Sequence, residues 1–234
     1  MKYAIIAAGE GSRLAEEGVE QPKPLVQLNG VSLIYRLIDI FTKNEAESIS
    51  IIINNEMKAV WEHVDSLKKN SSVPLNVIVQ STPSSMHSFF ELNTFLQTGK
   101  FCLTTVDTIF KDDEFSEFIQ AFVADTENDG MMAVMNYIDD EKPLYVGVND
   151  QLEINGFFDS SDGTMQYISG GIYCLSSKAI KTLDYCMKNG ISRMRNYQRQ
   201  LVADGLKLKA FPFKKIVDVD HAEDIVKAEE FLRS

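Results

Sequence analysis

The run Tyr3-Ala4-Ile5-Ile6-Ala7 is followed at once by Ala8-Gly9-Glu10-Gly11-Ser12-Arg13-Leu14, and, after Ala15 to Gln21, by Pro22-Lys23-Pro24-Leu25. Five apolar residues in a row have strand length, and a continuous apolar run predicts a strand buried on both faces. The loop over 8–24 is much longer than the two to six residues usual between a strand and a helix, and loops of that length are generally functional. Gly9 and Gly11 let the backbone approach a ligand closely and offer N–H groups to phosphate. Arg13 can fork onto phosphate oxygens, and Lys23 is a cation on a backbone stiffened by its two flanking prolines. The loop therefore predicts a polyphosphate cradle. It is no dinucleotide fingerprint, because Leu14 stands where G-x-G-x-x-G needs its third glycine, and no P-loop, because Gly-Lys-Ser/Thr is missing.

Outward from this stretch, strand-length apolar runs recur at Ser48 to Ile53, Leu75 to Val79 and Phe101 to Val106. Between them, Leu33, Ile34, Leu37, Ile38 and Phe41 fall on one helical face, as do Met57, Val60, Trp61, Val64 and Leu67. This alternation is the βαβ signature, each helix covering one face of a parallel sheet. From Pro143 to Leu175 the pattern changes to short pieces, Tyr145 to Val148, Leu152 to Phe157 and Gly171 to Leu175, broken by Asn149-Asp150 and Ser160 to Gly163. These predict an antiparallel meander. Helices over 177–187 and 193–204, a strand over 206–213 and a helix over 221–232 follow. With no repeat or linker in view, residues 1–234 are expected to form a single α/β domain with a mixed sheet.

The 234 residues are 44% hydrophobic and 24% charged, which excludes a disordered or collagen-like chain. With 23 Lys and Arg against 34 Asp and Glu, the net charge is −11. Such a chain repels nucleic-acid phosphates, so no nucleic-acid partner is expected. To bind an anion it must focus its few cations or recruit a divalent metal. Cys102, Cys174 and Cys186 match no zinc spacing and no disulfide framework, and are read as buried thiols. No apolar run reaches membrane-span length and Met1 leads straight into strand-like sequence, so no membrane partner and a cytoplasmic location are expected. Nothing in the sequence sets an oligomeric state.

G-x-G-x-R-L, followed nine residues on by Lys23 inside Pro-Lys-Pro-Leu, is far more restrictive than a lone G-x-G. The stretch from Ile5 to Leu25 resembles the signature of the nucleotidyltransferases that make nucleoside-diphosphate sugars and related activated metabolites. The resemblance implies a Rossmann-like three-layer α/β/α fold with a mixed sheet. It also implies that the loop, with Ala8, Gly9 and Gly11, wraps the base and phosphates of a nucleoside triphosphate. Arg13 would contact the phosphates and Lys23 would stabilise the charge that develops on them, which makes these two the catalytic candidates. After the third strand the family carries a Gln that meets the nucleotide, and Gln80 stands there. Ser81 to Ser88 replaces the Gly-Thr-Ala-like segment that usually follows, and Ser84 or Ser85 can equally be an N-cap.

Asp107 follows the apolar run Phe101 to Val106, so it sits past a strand's carboxyl end, where ligands bind in open α/β sheets. From position alone it is either a metal ligand or a turn cap. Asp220 and Glu223 have capping-box spacing before the last helix, so Asp220 reads as an N-cap and not a ligand, whereas Asp218 lacks that explanation. The resemblance implies that an Asp at a central strand's end and a second Asp before a C-terminal D-x-x-T-P-E-D-L helix hold magnesium. Asp107 and Asp218 take those places, with His221 and Ala222 replacing Thr-Pro. Magnesium prefers oxygen ligands and uses one or two carboxylates plus substrate phosphates, which suits two aspartates. His63, His87 and His221 share no metal-ligand spacing.

The middle third departs from the family. Ile154-Asn155-Gly156-Phe157-Phe158 lacks the Glu-Lys-Pro that commonly follows G-F-x, while Ser169-Gly170-Gly171-Ile172-Tyr173 resembles the family's x-x-G-I-Y strand. Lys142 is the only Lys or Arg between Asp113 and Tyr173. The acceptor is therefore expected to meet Asn155 and the backbone at Gly170 and Gly171, although that glycine pair can also be a bulge. The expected reaction transfers a nucleoside monophosphate from a nucleoside triphosphate to a phosphorylated small molecule, in the first place a sugar 1-phosphate, with release of pyrophosphate. Its alternatives are a cytidylyltransferase acting on phosphocholine or another alcohol phosphate, a nucleotide-sugar-dependent glycosyltransferase, for which Asp218-Val219-Asp220 supplies a D-x-D, and a non-catalytic nucleotide-binding protein.

Overall fold

The apolar runs become the strands of a nine-stranded mixed sheet in a computed structural model that describes residues 1–136 and 142–234. In chain order the elements are β1 (Lys2–Ala7), α1 (Ser12–Glu16), β2 (Gln27–Leu28), β3 (Val31–Ser32), α2 (Leu33–Lys43), β4 (Ser48–Ile53), α3 (Lys58–Asn70), β5 (Leu75–Val79) and α4 (Ser85–Leu92). There follow β6 (Lys100–Thr105), β7 (Thr108–Ile109), α5 (Asp112–Ala124), β8 (Gly130–Met135), β9 (Tyr145–Val148), β10 (Ile154–Phe158) and β11 (Tyr167–Ser176). The chain finishes with α6 (Ala179–Lys188), α7 (Met194–Ala203), β12 (Leu208–Phe213), β13 (Val217–Asp218) and α8 (Ala222–Arg233).

Strands run in the order β10-β9-β11-β6-β1-β4-β5, with β8 on β11 and β12 on β8. The β5-β4-β1-β6 half is parallel and β11 is antiparallel to its neighbours, which makes the sheet mixed. Burial alternates along β1: Tyr3, Ile5 and Ala7 join a core with residues of α2, α3, α5 and α8, while Ala4 and Ile6 join a second core with α4, α6 and α7. Helices on both faces explain the continuous apolar runs. This is the three-layer α/β/α arrangement.

The structure differs from the sequence reading in three places. Trp61 falls on the apolar arc of α3 but is exposed, whereas Val60 and Val64 are buried and Met57 and Leu67 pack partly buried against the core. Gly130 to Met135 is a fully buried strand, β8, and the third piece of the meander is a ten-residue strand, β11, running through the middle of the sheet. The three cysteines are buried free thiols, as expected. No helix among the described residues is long and apolar enough to cross a membrane.

Candidate active site

β1, β4 and β6 run parallel and end together, and their carboxyl ends open onto a cavity of about 460 Å³. Its floor carries Ala8, Gly9 and Gly11 from the first loop, and its walls carry Asn54 past β4 and Asp107 past β6. Gly11 initiates the one-turn helix α1 in the left-handed region, at φ 65°. A Cβ there would lie 3.1 Å from Cβ of Lys23, so glycine is needed both for the turn and for the close approach of the lysine. Gly9 has open space around it.

Two short strands bring the distant acidic segments together. β7 pairs antiparallel with β13, Thr108 facing Asp218 and Ile109 facing Val217, and the Val219 N–H donates to the Asp107 carbonyl at 3.1 Å. Into this junction reaches Lys23, whose ammonium donates to Asp107 Oδ2 at 2.5 Å and to Asp220 Oδ1 at 2.7 Å. Arg13 Nη1 donates to the other oxygen of Asp220 at 3.1 Å. Burial alone would lower the Lys23 pKa; Asp107 foremost, with Asp220, overcomes it and holds the ammonium above its ordinary value. Burial likewise opposes ionisation of Asp220, yet Lys23, aided by Arg13, holds that carboxyl below the usual range. Asp218, the last residue of β13, keeps solvent exposure. Partial desolvation, reinforced by Asp107 and Asp220, raises its carboxyl above the usual range, and the Lys23 ammonium opposes that shift. Lys23 is thus the shared counter-charge of Asp107 and Asp220, and Asp218 lies within the field of all three.

Asp220 is therefore not the N-cap. The cap falls one residue later, on His221, and Asp224 rather than Glu223 takes the third helical position, its Oδ2 accepting from the N–H groups of His221 at 2.8 Å and Asp220 at 3.1 Å. That shift frees the Asp220 side chain for Lys23 and Arg13. Glu17 completes the closure of the first loop onto α8: its carboxylate meets His221 Nδ1 and accepts from the Ala222 N–H, both at 2.6 Å.

Of the residues expected on the nucleotide, Ala8, Gly9, Gly11 and Lys23 line the cavity, Arg13 stands beside it on Asp220, and Gln80 does not line it. Gln80 instead prolongs β5, its N–H donating to the Ile53 carbonyl at 2.8 Å, and the wall is made by Ser81 to Ser85 and Ser88. Ser84 is the N-cap residue of α4 by position, but its hydroxyl pairs with His87 Nδ1 at 2.8 Å. Asn54, absent from the sequence reading, organises this wall: it donates to the Ala8 carbonyl at 3.3 Å and accepts from Ser81 Oγ at 2.7 Å. Its position one step past a parallel strand, like that of Asp107, was the available signal.

The acceptor candidates do not come together. Asn155 is exposed on the edge strand β10, beside Gly147 of β9. Gly170 is a packing position, because a Cβ there would lie 2.4 Å from Ile216 Cδ1, and a register shift between Ser169 and Tyr173 marks the bulge. Gly171, at φ 74°, faces the Thr108 hydroxyl and so borders the acidic junction.

The nucleotidyl transferase family model matches residues 2–234. The chain belongs to that family. Among curated proteins it is 23% identical to the bifunctional protein GlmU of Methanococcus maripaludis, covering 97% of this chain and 53% of the relative, so the chain spans about half the length of that protein. Among solved structures it resembles a putative glucose-1-phosphate thymidylyltransferase from Bacillus anthracis, with TM-score 0.85 at 18% identity over 100% of this chain and 96% of that one. It also resembles the inositol-1-phosphate CTP transferase of T. maritima, TM-score 0.75 at 22% identity over 99% and 98%. The CTP:phosphocholine cytidylyltransferase of Streptococcus pneumoniae matches with TM-score 0.77 at 20% identity over 98% of each chain. These likenesses establish the fold.

Proposed function

We propose that residues 1–234 act as one nucleotidyltransferase unit that joins a nucleoside monophosphate to a phosphorylated small molecule, in the first place a sugar 1-phosphate, in nucleotide-sugar synthesis. The observation that carries this reading is the Lys23 ammonium bridging Asp107 and Asp220 at the mouth of a glycine-floored cavity. The named relatives act on glucose 1-phosphate, inositol 1-phosphate and phosphocholine, which supports a phosphate monoester as the acceptor. Such a monoester is largely dianionic at neutral pH, so no general base is required. An acceptor phosphate oxygen forms the new bond to the α-phosphorus, the bond from that phosphorus to the bridging oxygen breaks, and pyrophosphate carries the electron pair away.

The donor set suits magnesium. Carboxylate oxygens are its preferred protein ligands, and one or two suffice when phosphates complete the shell. Among the described residues no three His, Cys, Asp or Glu side chains form a ready-made metal cluster, so the pair is the relevant unit. Asp107 is common to every pairing. Asp218 adjoins it across β7 and β13, and Asp220 already shares one cation, the lysine ammonium, with it. When bound, magnesium would neutralise phosphate charge and orient the α-phosphate. Gly9 and the loop backbone then hold the triphosphate, and Arg13 and Lys23, exchanging carboxylate partners for phosphate oxygens, offset charge on the leaving pyrophosphate. The test is a matrix of nucleoside triphosphates against phosphorylated acceptors, read as pyrophosphate release with magnesium and with chelator. Release only with magnesium and an acceptor supports the proposal, while triphosphate binding without release on the whole matrix contradicts it.

A further inference from the structure

Arg195 and Arg199, four residues apart on α7, converge on one carboxylate. Arg195 Nη1 lies 2.6 Å from Asp159 Oδ1 and Arg199 Nη2 lies 2.7 Å from Oδ2. Arg199 is further engaged by the Phe157 carbonyl and Asn196 Oδ1, each at 3.1 Å. Arg195 donates to the Lys142 carbonyl at 3.0 Å and lines, with Lys142, Tyr145, Asp159, Ser160 and Ser161, a second cavity of about 500 Å³. A chain of net charge −11 has here gathered two arginines on one carboxylate. The sequence hides this, because the two arginines come from α7 while the strands they join show only Lys142.

The second cavity lies along the same strand as the acidic junction. Tyr145 faces Ile168 of β11, and Gly171, which borders Thr108, is three residues further on. Both places therefore border the same strand, one before its bulge and one at it. Tyr173 senses both: burial first, then Asp218, raises its hydroxyl to about 12, while a hydrogen bond with Ser169 and then the charge of Arg195 oppose the shift.

We infer that the second cavity receives the far end of the acceptor, and that this acceptor is a phosphate monoester carrying a second anionic group, a carboxylate or another phosphate. The inference rests on the transfer reading above. Arg195 is the recognising residue, because its planar fork suits either anion and Asp159 is exposed enough to yield it. Arg199 then keeps Asp159 paired and in place. A neutral far end gains nothing from this charge, and a cationic one meets Arg195 and Lys142.

The test uses four probes: glucose 1-phosphate, glucuronic acid 1-phosphate, glucose 1,6-bisphosphate and phosphocholine. Binding is measured by calorimetry with magnesium, and turnover by pyrophosphate release. The two doubly anionic probes should exceed glucose 1-phosphate by about tenfold or more in affinity and in kcat/KM. Which of the two leads tells carboxylate from phosphate. Arg195→Gln should bring their affinity down to that of glucose 1-phosphate, Arg195→Lys should keep part of the preference, and a melting curve shows that each variant folds. Equal affinity for glucose 1-phosphate, phosphocholine as the best probe, or a preference that survives Arg195→Gln overturns the inference. Preference in binding without turnover upholds it and contradicts the transfer reading, whereas turnover without preference does the reverse.

Discussion

Lys23→Met removes one ammonium and keeps most of the stem that packs on Gly11. The Lys23 side chain is 10% exposed, Asp107 20% and Asp220 37%. Breaking a fully buried ion pair by deleting one partner costs about 3–5 kcal/mol. Here Asp220 is more than a third open and keeps Arg13 at 3.1 Å, so water and the guanidinium take over part of the loss. An expected destabilisation of about 1–3 kcal/mol remains. At about 2–4 °C per kcal/mol for a chain of this size, the melting midpoint should fall by roughly 2–12 °C. Magnesium should raise the midpoint of the variant more than that of the wild type, because the carboxylates have lost their principal internal cation. Turnover should fall about a hundredfold to a thousandfold, as for loss of one contact to developing charge, and triphosphate affinity should fall less. Melting curves with and without magnesium, steady-state kinetics and calorimetry read all of these. A variant that melts with the wild type and changes only the Michaelis constant would refute the reasoning.

Asp107→Asn should abolish magnesium-dependent turnover and, because Lys23 keeps Asp220 at 2.7 Å, should lower the melting midpoint by no more than Lys23→Met does. Comparing Asp218→Asn with Asp220→Asn shows which carboxylate completes the metal pair, since the magnesium concentration for half-maximal rate should rise far more in the true ligand's variant. Gly171→Val places a β-branched residue at φ 74° and should cost about 1–3 kcal/mol of stability, so a variant with unchanged melting and a raised acceptor Michaelis constant would show that the backbone relaxes there. The Glu17–His221 contact predicts a pH signature: hydrogen bonds from Ala222 and His221 hold Glu17 below its usual range, and Glu17 holds His221 above its own. The His221 contribution is complete below its unfolded pKa near 6.5 and is lost as pH rises through the higher folded value. The Glu17 contribution is complete above its unfolded pKa near 4.3 and is lost as pH falls through the lower folded value. The melting difference between wild type and Glu17→Gln should therefore be largest between about pH 4.5 and 6.5 and shrink by pH 9; a pH-independent difference would show that the contact does not titrate.

Much of this was legible in the sequence because the parallel half of the sheet is buried on both faces, which leaves continuous runs such as Tyr3 to Ala7 and Ser48 to Ile53. The first loop was legible for a different reason, since its glycines, prolines and two cations are each there for a local cause. β8 was harder to read because Gly-Met-Met-Ala-Val-Met over 130–135 has little β-branching to distinguish it from a buried helix. Asp220 was misread because capping-box spacing is satisfied twice in Asp220-His221-Ala222-Glu223-Asp224, and only the ion pair with Lys23, 197 residues away, selects the later register. Gln80 stands in the right place in the chain, but its strand continues through it and hands the wall to the serines beyond. Arg195 and Arg199 lie on an amphipathic helix where arginines are ordinary, and nothing local reveals that Asp159 comes to meet them.

The central claim is tested most directly by following the α-phosphorus. With a nucleoside triphosphate labelled at the α-phosphate, a phosphorylated acceptor and magnesium, the label should appear in the acceptor while unlabelled pyrophosphate is released in equal amount, and chelator or Asp107→Asn should stop both. Label emerging as a nucleoside diphosphate, or remaining in a triphosphate that the protein binds and never cleaves, would contradict the account.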